Sequence, residues 1–295
     1  MFSILIPSWN NLAYLKLCVE SLRKHSRFEH EIIVHVNDGS DGTLDWIKSQ
    51  GLKYSHSKKN LGVCLSVNLL AAQAERNWVL YMNDDMVACP GWDTALAKAI
   101  ESSSGHMAVF FGTLIERKTD NSHMISLDCG KSPEEFNEKK LLENYSMNGP
   151  GNIERQTSQP TLVQRKWWHM IGGYSVEFSP GMSSDDDLLM KFWVAGCRNF
   201  TMVGASRFYH FGCKSTGRIR RNLGGRVFVM KWGITQQEFH SRYFSKPVGT
   251  DETHFPRSSL AGRVKRIGYG LFGNYPLKDI EAWDPLPVQE CLPTN

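Results

Sequence analysis

The sequence predicts an α/β fold built on a mostly parallel central sheet flanked by helices. Two observations carry this reading. Short apolar runs of strand length alternate with stretches whose apolar residues recur at helical spacing, the pattern of consecutive βαβ units. Three of those runs end in polar, turn-forming clusters, at Pro7–Asn10, Asp38–Ser40 and Asn83–Asp85, and a parallel sheet brings such clusters to one edge.

Taken in order, Phe2–Ile6 is an apolar strand stopped by Pro7. The loop Ser8-Trp9-Asn10-Asn11 leads into a helix with Leu12, Leu15, Val19 and Leu22 on one face. Ile32–Val36 is the second strand, ending in Asn37-Asp38-Gly39-Ser40, and a short helix around Leu44–Ile47 packs back. A weaker strand near Tyr54 precedes Asn60-Leu61-Gly62 and a helix from Val63 to about Ala74. Trp78–Met82 reads as a strand buried on both faces, and it runs straight into Asn83, Asp84 and Asp85. Pro90-Gly91-Trp92 opens another helix, and Met107–Phe111 is a further strand. From Glu116 to Gln159 the chain is polar and irregular, the place for a functional insertion.

Thr161–Val163 resumes an extended segment, followed by a helix over Arg165–Ile171. Ser184-Asp185-Asp186-Asp187 opens a helix, and Phe200–Val203 and Phe208–Tyr209 are two short strands, the second ending at His210. Glycines and basic residues follow, and a last helical piece carries Phe239 and Tyr243. In the tail, Arg257, Arg263, Lys265 and Arg266 surround Leu260, Val264, Ile267 and Leu271. This weak basic amphipathic pattern is read as a solvated helix packed on its own domain, with a membrane-surface contact as the alternative.

Composition narrows the function. The hydrophobic content of 41% and charged content of 22% are ordinary for a globular protein, and a net charge of +4 fits an anionic ligand without the clustered basic face of a nucleic-acid reader. Seven scattered cysteines, none in a Cys-x-x-Cys pair, argue against a disulfide framework or a zinc site and for a reducing compartment. The N-terminus lacks signal-peptide features, and no run approaches a membrane span, so a cytoplasmic location is expected. Gly130-Lys131-Ser132 fails the P-loop spacing, because position 125 is Ile, and no Gly-x-Gly-x-x-Gly follows the first strand.

Two acidic clusters carry the chemistry. On its residues alone, Asn83–Asp85 serves equally as a hard-cation site at a strand tip or as a polar turn. Ser184–Asp187 can be an N-cap with acids favoured by the helix dipole. A cap explains three consecutive aspartates less well, and a carboxylate held there can act as a general base. His210 alone is more simply a structural histidine, and Asp38 alone a turn residue.

Taken in sequence, Ile6-Pro7-Ser8-Trp9-Asn10, Asn37–Thr43, Asn60-Leu61-Gly62, Asn83-Asp84-Asp85, Gly172-Gly173-Tyr174, Ser184–Leu188 and Tyr209-His210-Phe211-Gly212 resemble the family-two glycosyltransferases. The resemblance spans about the first three quarters of the chain. It implies a GT-A fold with a Rossmann-like sheet and a smaller mixed acceptor-side region. The implied domains are 1–245, divided into a nucleotide-sugar half (1–112) and an acceptor half (113–245), followed by a 246–295 tail.

The implied donor site comprises Pro7, Ser8, Trp9, Asp38, Asn60, Gly62, Asn83 and Asp84. Asp85, with His210 as a further ligand, would hold Mn2+ or Mg2+. Asp185 is the implied general base, with Asp186 as its rival, because Ser184 stands where the family commonly has an acid. Lys214, Arg218, Arg220 and Arg221 form a candidate lid over the diphosphate. One base without an evident nucleophile suggests single displacement with inversion. The expected partners are a nucleotide-diphosphate sugar, most simply a UDP-sugar because a carboxylate at Asp38 can accept the uracil imide N–H, and a glycan or glycolipid acceptor. A tail contact would place the protein at the inner face of the membrane. Two other classes share parts of this pattern. A sugar-nucleotide pyrophosphorylase should carry a Gly-rich basic loop after the first strand, where this chain has Ser-Trp-Asn-Asn. A non-catalytic nucleotide-sugar-binding protein would not need Asp185.

Overall fold

The computed structural model describes residues 1–103, 105–147, 149–212, 223–246 and 255–272. The chain runs β1 (Phe2–Trp9), α1 (Leu12–His25), β2 (Glu31–Asn37), α2 (Thr43–Ser49), β3 (Lys53–Ser57), α3 (Gly62–Gln73), β4 (Trp78–Tyr81), β5 (Met86–Ala88), α4 (Trp92–Ser102) and β6 (Ala108–Glu116). It continues through β7 (Ile125–Ser126), α5 (Glu138–Asn144), β8 (Ile153–Glu154), β9 (Thr161–Gln164), α6 (Arg165–Met170), α7 (Ser184–Val194), β10 (Asn199–His210), α8 (Gly224–Trp232), α9 (Gln236–Phe239) and α10 (Leu260–Phe272).

Side-chain alternation along the strands divides the core between two sheet faces. Ile4, Ile6, Val34, Val36 and Leu80 pack with Leu15, Val19 and Leu22 of α1 and with Trp92 and Leu96 of α4. Leu5, Ile33, Val79 and Tyr81 point the other way, into a cluster with Cys64, Val67 and Leu70 of α3 and with Leu188, Phe192 and Trp193 of α7. Each such aliphatic side chain, fully buried, contributes about 1.5–3 kcal/mol.

The sheet order is β3-β2-β1-β4-β9-β6-β10-β5. The first four strands are parallel. β9 enters antiparallel between β4 and β6, and β5 pairs antiparallel with β10, so the mixed character lies in the second part. β6 straddles residue 112.

Three local readings are corrected. Pro7 does not stop β1, which continues to Trp9 against β2, while pairing with β4 ends at Leu5. A proline lacking its N–H is tolerated where the neighbour on one side has ended. Phe200–Val203 and Phe208–Tyr209 are one strand, β10, whose register against β6 shifts between Met202 and Arg207. Gly204 lies in that bulge, where an added Cβ would meet the Pro150 carbonyl at 2.0 Å. The stretch from 116 to 159 is less irregular than its polarity implied, carrying β7, α5 and β8. No described helix is long and apolar enough to cross a membrane.

Candidate active site

The carboxyl ends of the adjacent strands β2, β1 and β4 deliver Asn37, Ser8-Trp9 and Asn83–Asp85 to one edge. Opposite them lies the start of α7, reached through Pro180-Gly181-Met182. Between these segments is a cavity of about 270 Å³, lined by Pro7, Ser8, Trp9, Asn60, Gly62, Asn83, Asp84, Asp85 and Asp185 among others. Its described lining holds three aspartates and neither Lys nor Arg.

Backbone demands shape the rim. Gly62 has φ +72°, and an added Cβ would lie 2.6 Å from Pro180 Cα. Val63 N donates to the Pro180 carbonyl at 2.9 Å, fixing the α3 start against the loop before α7. Asn60 Oδ1 accepts from Gly62 N at 2.9 Å, and Asn37 Oδ1 accepts from Leu61 N at 2.8 Å.

The three residues after β4 have separate partners. Asn83 Oδ1 accepts from the Tyr81 hydroxyl at 2.8 Å. Asp84 is tied to the end of β1 by Ser8 Oγ at 2.6 Å and to Asn11 Nδ2 at 3.0 Å. Asp85 Oδ2 faces His210 Nε2 at 3.5 Å, a juxtaposition produced by the antiparallel β5–β10 pair. His210 Nδ1 lies 3.0 Å from Glu116 Oε1, at the end of neighbouring β6. A carboxylate only accepts, so Nδ1 donates to Glu116, and Nε2 is the nitrogen that would ligate a cation held beside Asp85.

This donor set fits a hard or borderline divalent cation. One carboxylate oxygen and one imidazole nitrogen stand at the spacing of neighbouring ligands, and a second carboxylate orients the imidazole from behind. Among the described residues no group of three His, Cys, Asp or Glu side chains converges as a ready-made cage. The remaining positions would fall to ligand and water oxygens, as is usual for Mg2+-type sites.

The α7 acids are equally divided. Asp185 opens into the cavity, and its Oδ1 accepts from the Tyr174 hydroxyl at 2.7 Å. The protein crowded around the cleft raises its carboxyl above the usual range; the Tyr174 bond opposes this and the Asp186 charge adds to it. Burial also pushes the Tyr174 and Tyr81 phenols well up, so both stay protonated as donors. Their rings meet edge to face, with centroids 5.7 Å apart.

Asp186 turns away from the cavity, to His240 Nε2 at 2.7 Å and Gln236 Nε2. Asp187 is fully buried, with Oδ1 2.8 Å from Trp232 Nε1 and 2.9 Å from Lys231 Nζ. Ser184 is not the cap expected from its sequence position. The cap is Ser183 at φ +67°, without a side-chain bond to the helix, while Ser184 Oγ donates to Gly181 O at 2.7 Å. Cys64, close by, is no nucleophile, because burial pushes its thiol up to about 12.

The comparisons with known proteins agree with this geometry. The model of glycosyl transferase family 2 matches residues 3–167, more than half of the chain. The chain belongs to that family. It is a glycosyltransferase with a GT-A fold. Among solved structures it resembles S. aureus TarS 1-349 in complex with UDP-GlcNAc, with TM-score 0.58 and 14% identity over 98% of this chain and 77% of that one. A second crystal structure of S. aureus TarS 1-349 gives TM-score 0.56 at 14% identity, over 98% and 76%. Its complex with UDP gives 0.55 at 14% identity, over 96% and 77%. No curated protein matches the chain in sequence.

Of the residues singled out in this family 2 sequence, Pro7, Ser8, Trp9, Asn60, Gly62, Asn83, Asp84, Asp85 and Asp185 share the cavity. Asp38 is at its edge, outside the lining. The Asn10 amide at 2.7 Å holds the Asp38 carboxyl below the usual range, and Ser40 N donates to its other oxygen at 3.3 Å. Asp186 is outside as well. His210 joins through Asp85. Lys214, Arg218, Arg220 and Arg221 lie outside the described residues.

Sequence reasoning missed Glu116 and the hydroxyls of Tyr81 and Tyr174. Glu116 had a usable signal, as the first charged residue after an apolar run in a sheet whose strand ends line the cavity. Tyr174 stood in the Gly172-Gly173-Tyr174 segment of the resemblance without a role attached to it, and Tyr81 had no signal, because it lies in an apolar run and its polar partner comes from the fold.

Proposed function

We propose that this glycosyltransferase moves a sugar from a nucleotide-diphosphate donor, foremost a UDP-sugar, to a hydroxyl of a glycan or glycolipid acceptor. The observation that carries this reading is a cavity lined with carboxylates on both walls and no cation among its described lining residues. A diphosphate entering there meets like charge and requires a counter-cation. Asp85 and His210 are the residues proposed to hold it, with Glu116 fixing the imidazole. A bound Mn2+ or Mg2+ would neutralise the charge gathering on the leaving diphosphate.

Asp185 is the proposed base. It opens into the cavity, whereas Asp186 is engaged by His240 and Gln236, and this difference favours it over its rival. The acceptor hydroxyl gives its proton to the Asp185 carboxylate as its oxygen bonds to the anomeric carbon. The bond from that carbon to the diphosphate oxygen breaks, and its electron pair leaves with the nucleotide. Attack opposite the leaving group in a single displacement inverts the anomeric centre. Tyr174 aims the Asp185 carboxylate, and the protein crowded around the cleft raises its basicity.

Trp9, Pro7 and Ser8 from β1, with Asn60, Gly62 and the Asn83-Asp84 turn, are proposed to hold the nucleoside and ribose, and Asp38 to favour uracil from the edge. The TarS complexes with UDP-GlcNAc and UDP support a uridine donor on this fold. The division into a donor half over 1–112, an acceptor half over 113–245 and a tail belongs to the same proposal.

Donor turnover measured across a panel of nucleotide sugars, with and without Mn2+ or Mg2+, tests the reading. UDP-sugars should be consumed only with metal. Equal turnover in a chelator would remove the cation, and preference for a purine nucleotide would remove the uridine assignment.

A further inference from the structure

Helix α10 is mounted opposite to the way a soluble surface helix sits. At about 100° per residue, Leu260, Val264, Ile267 and Leu271 fall within one arc of about 60°, and Gly262 and Tyr269 fall on the opposite side. The glycine side is the one docked on the protein. Gly262 is buried, and an added Cβ would lie 2.9 Å from the Gly233 carbonyl and 3.3 Å from Glu238 Oε2. Tyr269 lies under the Arg226 guanidinium, 5.0 Å from ring to charge. The four aliphatic residues point outward, 80%, 61%, 61% and 72% exposed. Scattered exposed apolar residues are ordinary, but a continuous stripe facing straight away from its own domain is not.

Charge selects what covers it. Between Phe255 and Phe272 the chain has Arg257, Arg263, Lys265 and Arg266 and no acidic residue. Arg263, Lys265 and Arg266 are exposed and flank the stripe on both sides. A second copy of this helix would bring like charges together along the seam. An anionic lipid surface pairs with them, and its acyl boundary accepts an aliphatic ridge of any shape. We propose that α10 lies in the plane of an anionic membrane surface, with its aliphatic stripe in the acyl boundary and its basic flanks on the headgroups.

The consequence for the enzyme is positional. α10 packs on α8, and the α8–α9 unit reaches the site through Gln236 and His240 on Asp186. A membrane bound by α10 would therefore lie beyond the helices that anchor Asp186, the neighbour of the proposed base. The proposal goes beyond the transfer reaction, and its test does not use turnover.

Sedimentation of the full chain with phosphatidylcholine vesicles, with and without phosphatidylglycerol, decides it. The protein should partition onto the phosphatidylglycerol vesicles and stay off the neutral ones, and high salt should release it. The double variant Val264→Asn/Ile267→Asn should lower the partition coefficient by about tenfold or more, with an unchanged melting temperature because both side chains face outward. Arg263→Gln/Lys265→Gln should weaken anionic binding by about tenfold, through lost headgroup attraction. Failure of the wild-type chain to bind phosphatidylglycerol vesicles would overturn the proposal. So would full retention of the double variant, or an oligomer that the same substitutions disperse.

Discussion

The two acidic clusters, Asn83-Asp84-Asp85 and Asp185-Asp186-Asp187, look alike as strings and differ in what holds each member. After β4, the ends of three strands do the sorting, with Tyr81 on Asn83, Ser8 and Asn11 on Asp84, and the β10 histidine on Asp85. At α7 the sorting comes from helices and a turn. Tyr174 holds Asp185, α9 and the residue after it hold Asp186, and the end of α8 holds Asp187. In each cluster one carboxylate is the one proposed for chemistry, and its neighbours tie the site to the scaffold. A run of acids is therefore not a measure of ligand number. What decides a role is which distant element reaches each carboxylate.

That contrast can be broken residue by residue. The largest effect is expected at Asp85→Ala, which should cut metal-stimulated turnover by about a hundredfold or more while the fold persists. Unaltered metal stimulation would assign the cation elsewhere. Asp187→Asn should act on stability instead, because it weakens a fully buried acceptor of Trp232 and Lys231. A loss of about 2 kcal/mol is expected in denaturant unfolding, with near-normal specific activity of the folded fraction. A stable but inactive Asp187→Asn would blur the division between the clusters.

Tyr174→Phe should lower kcat/KM by about tenfold and displace its pH profile. The phenol donates to Asp185 and stabilises its charged form, so removing it raises the carboxyl further. Activity needs the deprotonated base and is lost as pH falls through its pKa. The acid limb should therefore move to higher pH, whereas a merely structural tyrosine would leave the limb in place. The smallest effect is expected at Asp38→Ala. Its oxygens already serve Asn10 and Ser40, so UDP affinity by calorimetry should fall by less than about tenfold, and more than ADP affinity.

The same contrast explains what was legible beforehand. β1, β4, α3 and α7 were readable because burial on a sheet or helix face imposes local periodicity. β5 was not, since a strand of three residues carries little pattern, and β9 was legible as an extended segment but not in its antiparallel place between β4 and β6, which depends on distant partners. β10 was read as two strands because its bulge at Gly204 interrupts the apolar run without ending the strand. Asp185 and Asp85 were singled out by motif, and the structure brings both to the cavity. Glu116, Tyr81 and Tyr174 matter through contacts across 94, 2 and 11 residues, which no local pattern shows. The outward stripe of α10 was visible as a pattern, but which side of the helix met the domain was not.

The central claim is that Asp185 is the base and Asp186 its anchored neighbour. Single-turnover transfer by Asp185→Asn and Asp186→Asn, each with donor affinity and melting temperature measured on the same sample, tests it most directly. Asp185→Asn should lose about two to four decades in rate with donor affinity nearly unchanged. Asp186→Asn should stay within about tenfold of the wild type, with a lower melting temperature from its lost contacts with His240 and Gln236. A full loss in Asp186→Asn beside a nearly active Asp185→Asn would contradict the account.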